Sequence, residues 1–290
     1  MSKIKIAFIY DFDKTLSPKD MQEYSFLPDI NMEPKQFWAE VGKESKMQKA
    51  DNIITYMQLM IEKAKANGKE NELTKVALKN KGKNIELFNG VEGWFDLIND
   101  YAKELGAVIE HYIISAGNKE ILEGTSIAKN FKKIYGCSFR FDNNDVAKSA
   151  GLAINYTNKT QFIFRINKGL LDEWDNSKIN DYVPDADRSF PFENMVYFGD
   201  GDTDIPCMKL VKEKGGYSIA VYKPNSSKKK VEKLLRDGRV NFFYPADYSE
   251  NKEIFKFCKL IIDKMVSQNK LKLEEKKQSL KVDPLKSTEK

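Results

Sequence analysis

Apolar residues in this chain fall into two patterns, and the alternation between them predicts the architecture. Short unbroken runs rich in branched and aromatic residues read as buried strands. They lie at residues 6–10, 107–114, 195–198, Tyr217–Tyr222 and 240–244. Other apolar residues recur at helical spacing. Pro34 starts one helix that continues through Phe37 and Trp38 toward Met47. Asp51 is placed to cap a second, carrying Ile53, Ile54, Met57, Met60, Ile61 and Ala64 before Gly68. Gly90 opens a third, with Trp94, Leu97, Ile98, Tyr101 and Leu105 on one face and Gly106 at its end. Strands alternating with helices predict a parallel sheet.

Residues 21–88 carry no strand signal and read as a polar-rich helical insertion after the first strand. Two extended-looking runs, 152–156 and 161–166, are separated by Asn158 and predict a hairpin, after which Lys168 and Gly169 open a helix. Ile205-Pro206 starts another helix, and the last runs over 251–266. Beyond Ser267 the chain is mostly Lys, Glu and Gln, the pattern of a frayed helix or disordered tail. The predicted division is a core of 1–17 plus 89–266, a helical unit of 18–88 inserted after the first strand, and a charged tail of 267–290.

Composition changes this picture little. The 290 residues are 41% hydrophobic, enough for a sizeable core, and no apolar run approaches the roughly 18 residues of a membrane span. The N-terminal residues lack a signal-peptide pattern. Cys137, Cys207 and Cys258 are too scattered for a disulfide framework or a zinc site, and a reducing cytoplasm is expected. The net charge of +5 resides in the C-terminal part, where residues 222–290 hold 18 Lys and Arg against 10 Asp and Glu. That surplus lacks interleaved aromatics, so it reads as solvated helix surface and not as a nucleic-acid footprint.

The chemistry sits where strands end. Asp11 and Asp13 follow the first, Ser115 and Ala116 the second, and Asp200 and Asp204 the third. In a parallel sheet these ends share one edge, where ligands bind. Four carboxylates cannot share a site without a cation, and hard oxygen ligands suit Mg²⁺. Lys168 could add positive charge, and backbone N–H groups after Asp11 and Ser115 could cradle phosphate oxygens. His111, the sole histidine, lies inside a strand and reads as structural, as does Cys207.

These residues resemble the four motifs of phosphatases of the haloacid dehalogenase superfamily. Asp-x-Asp-x-Thr is Asp11-Phe12-Asp13-Lys14-Thr15, the strand-end hydroxyl is Ser115, the helix-opening lysine is Lys168, and Gly-Asp-x-x-x-Asp spans 199–204. The resemblance implies an α/β, Rossmann-like parallel sheet core with an inserted helical cap, close to the phosphoserine phosphatase-like branch. It implies Asp11 as nucleophile, forming an aspartyl-phosphate, and Asp13 as acid and base. Mg²⁺ would be held by Asp11, the Asp13 carbonyl and Asp200, with Asp204 behind them. Ser115, Ala116 and Lys168 would bind the phosphoryl group. Asp13-Lys14-Thr15 also echoes the phosphorylation motif of ion-pumping ATPases, but that register needs membrane helices that the sequence lacks.

The expected activity is Mg²⁺-dependent hydrolysis of a small phosphate ester beneath a closing cap. Transfer of the phosphoryl group to an acceptor, or non-catalytic binding of a phosphorylated ligand, are the alternatives. Asp20 and Glu23 are candidates for contacts to a substrate amine. The phosphoserine enzymes hold the substrate carboxylate with a cap arginine, and this chain has no Arg before Arg140. A substrate other than phosphoserine is therefore expected.

Overall fold

The computed structural model describes residues 4–282. Seven strands form one sheet in the order β4-β3-β2-β1-β5-β6-β7. These are β1 (Ile4–Tyr10), β2 (Ala107–Asn118), β3 (Phe131–Phe141), β4 (Ala147–Leu152), β5 (Met195–Gly199), β6 (Tyr217–Tyr222) and β7 (Phe242–Pro245). All neighbours are parallel except β3 and β4. The expected α/β, Rossmann-like sheet is therefore present, with β1 at its centre. Residues 6–10 of β1 are wholly buried, as an unbroken apolar run in a sheet covered on both faces requires.

Register places the chemistry. Tyr10, the last residue of β1, lies opposite Ile113 of β2 and Phe198 of β5. Asp11, Ser115 and Asp200 therefore leave three adjacent strands at one edge. The sheet order also reverses here, since β1 connects to β2 on one side while β5 and β6 extend on the other. A crevice opens at such a point.

Among the described residues there are ten α-helices. Between β1 and the helix leading to β2 lie α1 (Phe26–Asp29), α2 (Pro34–Gln48), α3 (Asn52–Ala66) and α4 (Lys75–Lys81), with short 3-10 turns. Asp51 caps α3 as expected, accepting from the Ile53 and Ile54 amides at 2.9 and 3.1 Å. Then follow α5 (Val91–Glu104), α6 (Lys119–Leu122), α7 (Lys159–Lys168), α8 (Ile205–Glu213), α9 (Lys229–Arg236) and α10 (Glu253–Val282). On one face of the sheet, Trp94 and Phe95 of α5 pack among Phe8, Tyr10, His111 and Phe198. His111 is structural: it bonds Tyr10 Oη at 3.1 Å and Asn99 Oδ1 at 3.0 Å. Burial lowers its basicity to about 3, so it stays neutral.

The helical insertion is docked on the core. Tyr56 of α3 donates to the Ala116 carbonyl at 2.8 Å, and Asn155 donates to Asp51 at 3.0 Å. At the end of α4 the chain meets α6 backbone to backbone. A Cβ on Gly124 would stand 1.7 Å from the Lys79 carbonyl oxygen, so only glycine fits.

Three expectations are corrected. The antiparallel hairpin is β3–β4, turning at 142–146, and does not involve 161–166. That second run is helix α7, whose Phe162, Ile163 and Ile166 are buried along one face. Gly169 (φ +75°) closes this helix where it was expected to open one. The final helix runs on to Val282 because its apolar face extends to Met265 and Val266 and the charged continuation adds no breaker. Residues 283–290 of the expected tail lie outside the described residues. Among the described residues, no helix is long and apolar enough to cross a membrane.

Candidate active site

The turn after β1 is built by local bonds. The amides of Thr15, Leu16 and Ser17 all donate to the Phe12 carbonyl, at 3.1, 2.8 and 3.2 Å. Lys14 takes a left-handed conformation (φ +61°) within it. The Asp11 amide stays in the sheet, donating to the Phe198 carbonyl at 2.9 Å. Asp11 is therefore rigidly placed, and only 5% of it is exposed. One carboxylate oxygen, Oδ1, accepts from Lys159 at 2.8 Å, while Oδ2 has only a long contact of 3.5 Å from the Thr15 hydroxyl.

Lys159, fully buried, is the lysine of the site. Its ammonium donates to Asp11 Oδ1, to Asp204 Oδ1 at 2.5 Å and to the Thr203 hydroxyl at 3.4 Å. Burial alone would lower its basicity, but Asp11 and Asp204 outweigh that and hold it charged. It opens α7 from a turn locked by asparagines. The Asn155 amide donates to Asn158 Oδ1 at 2.7 Å, and the Asn158 side chain donates to the Ala153 carbonyl at 2.7 Å. Lys168, the lysine expected from the sequence, lies three turns of helix away. Its ammonium donates to the carbonyls of Ile179 and Asp181 at 2.6 and 2.8 Å and touches none of the strand-end carboxylates. Reading 161–166 as a strand displaced the helix start to the wrong lysine. The spacing of Phe162, Ile163 and Ile166 after Asn158 was the signal that identifies Lys159.

Asp200 and Asp204 follow β5. Asp204 is fully buried; its Oδ1 takes a second bond from the Tyr197 hydroxyl at 2.7 Å, and its Oδ2 has no partner. Gly199 makes room for that oxygen, since a Cβ there would lie 2.4 Å from it. Asp11, Asp200 and Asp204 each offer a carboxylate oxygen, all within 4.8 Å of one another. Against them stand Lys159 and, from α9, Lys230, which reaches Asp200 at 3.0 Å and Asp202 at 2.9 Å. The excess of negative charge is visible in the acidities. Burial and then Asp204 push the Asp11 carboxyl up to about 7, and the same two causes raise Asp200. Crowded hard oxygens, one of them buried and unpartnered, fit a divalent cation such as Mg²⁺.

Asp13 points the other way. Its Oδ1 accepts from the Met21 amide at 2.9 Å. Burial, then Asp20, then Asp11 raise its carboxyl well above the usual range, which favours its protonated form. Asp20 itself is paired with Lys14, whose ammonium meets both carboxylate oxygens at 3.0 and 2.8 Å. Glu23 accepts from the Trp38 indole at 3.3 Å. Ser115 is buried at the end of the sheet run of β2, its hydroxyl oxygen accepting from the Gly117 amide at 3.0 Å.

A cleft of about 380 Å³ opens between the sheet edge and the helical insertion. Of the residues singled out in the sequence, Asp11, Asp13, Ser115, Ala116, Asp20 and Asp200 border it, whereas Asp204, Glu23 and Lys168 do not. Lys14, Trp38, Tyr56 and Tyr156, whose roles were not anticipated, border it too. A buried carboxylate with only a long contact at one oxygen, an adjacent carboxyl of raised pKa and a crowded acidic cluster thus lie together at this edge.

A doubly wound sheet with carboxylates at its central strand ends places the site at the point where the strand order reverses. Residues 8–209 match the family of haloacid dehalogenase-like hydrolases, and the chain belongs to that family. A protein of Borreliella burgdorferi, described as an uncharacterized protein, is 30% identical over 275 residues, spanning 86% of this chain and 94% of that one. A HAD family hydrolase of Salmonella enterica serovar Typhi aligns with TM-score 0.53 at 16% identity, over 82% of this chain and 66% of that structure. A substrate-bound phosphoserine phosphatase complex aligns with TM-score 0.53 at 14% identity, over 88% and 99%. At such identities the likeness to the solved structures is one of fold.

Proposed function

We propose that the protein is a Mg²⁺-dependent phosphomonoesterase working through an aspartyl-phosphate on Asp11. The observation that carries this reading is the arrangement of two carboxyl groups two residues apart: Asp11 held by Lys159 through Oδ1 with only a long contact at Oδ2, and Asp13 turned onto the Met21 amide with its carboxyl raised above the usual range. A carboxylate nucleophile and a carboxylic acid are what the two halves of a phosphoester displacement need. Asp11 attacks phosphorus, the bond to the leaving oxygen breaks, and the Asp13 proton passes to that oxygen. Asp13, now a carboxylate, takes a proton from water as the water oxygen attacks phosphorus. The Asp11–phosphorus bond breaks, inorganic phosphate is released, and Asp13 is again protonated.

Lys159 fixes the direction of Asp11 and balances charge on the transferring group. The Ser115 hydroxyl and the amide edge at Ala116 are the phosphate contacts. One carboxylate oxygen each from Asp11, Asp200 and Asp204 would hold the cation, with the Asp13 carbonyl as a further ligand. When bound, that ion neutralises the phosphate and keeps Asp11 ionised. The inserted helices act as a cap that bounds the cleft and favours a small substrate.

Hydrolysis of p-nitrophenyl phosphate with Mg²⁺, and its loss in Asp11→Asn, tests the reading. Acid quenching during turnover should yield protein carrying one phosphoryl group on Asp11, seen by peptide mass spectrometry. Full activity in Asp11→Asn would sink it.

A further inference from the structure

Two loops carry the groups assigned to the phosphoryl group: the end of β2 with Ser115, and the turn at 155–158 with Lys159. One helix of the insertion, α3, holds both. The first hold is at Ala116. Its carbonyl accepts from the Tyr56 hydroxyl of α3 at 2.8 Å and from the Cys137 thiol of β3 at 3.2 Å. The N–H of the same peptide unit belongs to Gly117 and donates to the Ser115 hydroxyl oxygen at 3.0 Å. A peptide unit is planar, and in its trans form the C=O and N–H point opposite ways. Fixing the Ala116 carbonyl therefore fixes the Gly117 amide and, through it, the Ser115 hydroxyl. The second hold is at Asn155. Its side-chain amide donates to Asp51 Oδ2 at 3.0 Å, while Asp51 Oδ1 caps α3. The Asn155 side-chain oxygen accepts from the Asn158 amide at 3.1 Å, and its backbone carbonyl accepts from the Lys159 amide at 3.2 Å. Cys137 joins the two holds, since its sulfur also accepts from the Ile154 amide at 3.2 Å.

Resting on the phosphomonoesterase reading, we propose that α3 is a brace for the phosphate site, with Tyr56 and Asp51 as positioning residues that set Ser115 and Lys159 relative to each other. Tyr56, Ala116, Cys137, Ile154, Asn155 and Asp51 form a closed ring of bonds that α3 itself completes. Tyr56, Cys137 and Ile154 are buried, so water does not compete for the bonds between them and the loops. Donors that act on a transferring phosphoryl group are effective only when already in place, and the ring keeps them in place. The insertion thereby belongs to the phosphate site as well as bounding the cleft.

Two variants open the ring at different points. Tyr56→Phe keeps the ring of the side chain and removes only its hydroxyl. Asp51→Ser keeps a capping oxygen for α3 and removes the one that meets Asn155. Each should lower kcat for p-nitrophenyl phosphate with Mg²⁺ by roughly tenfold at nearly unchanged KM. Inhibition by vanadate, which mimics the transferring phosphoryl group, should weaken by a similar factor. The double variant should lose less than the product of the two single losses, because either break opens the same ring. Gln58→Ala, on the exposed face of the same helix, is the control and should behave as wild type. A role in stability alone would lower the melting temperature and leave kcat and vanadate inhibition of the folded enzyme unchanged. That result, or single losses that simply multiply in the double variant, overturns the proposal and leaves the phosphatase reading standing. Absence of all hydrolysis in the wild type removes the phosphatase reading. Calorimetric titration with vanadate then decides, and equal affinity in wild type and Tyr56→Phe, or no binding by either, removes the brace as well.

Discussion

Replacing Lys159 by Met separates the observed site from the one expected on sequence. The Lys159 ammonium is fully buried and bonds Asp11 at 2.8 Å and Asp204 at 2.5 Å. Among the described residues no other cation pairs with either carboxylate; Lys14 is engaged by Asp20, and Lys230 by Asp200 and Asp202. Removing it leaves two buried carboxylates within 4.8 Å of each other. Breaking a buried pair in this way costs about 3–5 kcal/mol, and proton uptake by Asp11 keeps the loss near the lower end. Catalysis suffers separately, because a protonated Asp11 is no nucleophile and the charge aimed at the phosphoryl group is gone. Loss of one preorganised contact to developing charge lowers kcat by roughly 10²–10³. Lys168→Met removes only two bonds to backbone carbonyls, a stability cost of about 1.5–3 kcal/mol each at most, and should leave kcat/KM within about twofold of wild type. The assay is Mg²⁺-dependent p-nitrophenyl phosphate hydrolysis beside thermal melts with and without Mg²⁺. Equal losses in the two variants, or a fully active Lys159→Met, would refute the placement.

Asp13→Asn should cut turnover of an alkyl phosphate by about 10²–10⁴ but affect p-nitrophenyl phosphate less in the first step, because p-nitrophenolate needs no proton to leave; equal losses on both would count against the acid role. With the Asp11 carboxyl at about 7 and an ordinary value of 3.8, metal must displace a proton at acid pH. Apparent Mg²⁺ affinity should therefore fall by about tenfold per pH unit below 7 and level off above it, as followed by metal titration of thermal stability; a flat profile between pH 5 and 8 would contradict this. Gly199→Ala would bring a methyl to 2.4 Å from Asp204 Oδ2, and should weaken apparent Mg²⁺ affinity by about 10–100-fold. Gly124→Ala would clash with the Lys79 carbonyl at 1.7 Å and should lower the melting temperature by several degrees without changing which substrates are accepted.

Legibility in the sequence followed the range of the interaction. The central strands were visible because a buried parallel strand must be apolar on both faces, so 6–10, 195–198 and Tyr217–Tyr222 stand out as runs. The helices α2, α3 and α5 were visible from their starts and stops, each set by Pro34, Asp51 or Gly90 within a few residues. The segment 161–166 failed because six residues with three core positions satisfy both strand and helix patterns. Packing of Phe162 of α7 on Tyr135 of β3 decides between them, and that contact joins residues distant in the chain. The final helix was cut short for a related reason, since its charged continuation carries no apolar face to announce it.

The sequence by itself determined that Asp11 and Asp13 stand at a strand end, with Ser115, Asp200 and Asp204 at others, because strand, turn and strand-end chemistry are local. Tertiary structure alone decided which lysine serves them. Lys159 reaches Asp11 across 148 residues because β1 lies between β2 and β5 and α7 begins at the edge where those strands end. It alone also decided that the Asp13 carboxyl is raised above its ordinary range and that Asp11 is clamped. Acidity depends on burial and on charges such as Asp20 and Asp204, whose distances are fixed only once the chain has folded.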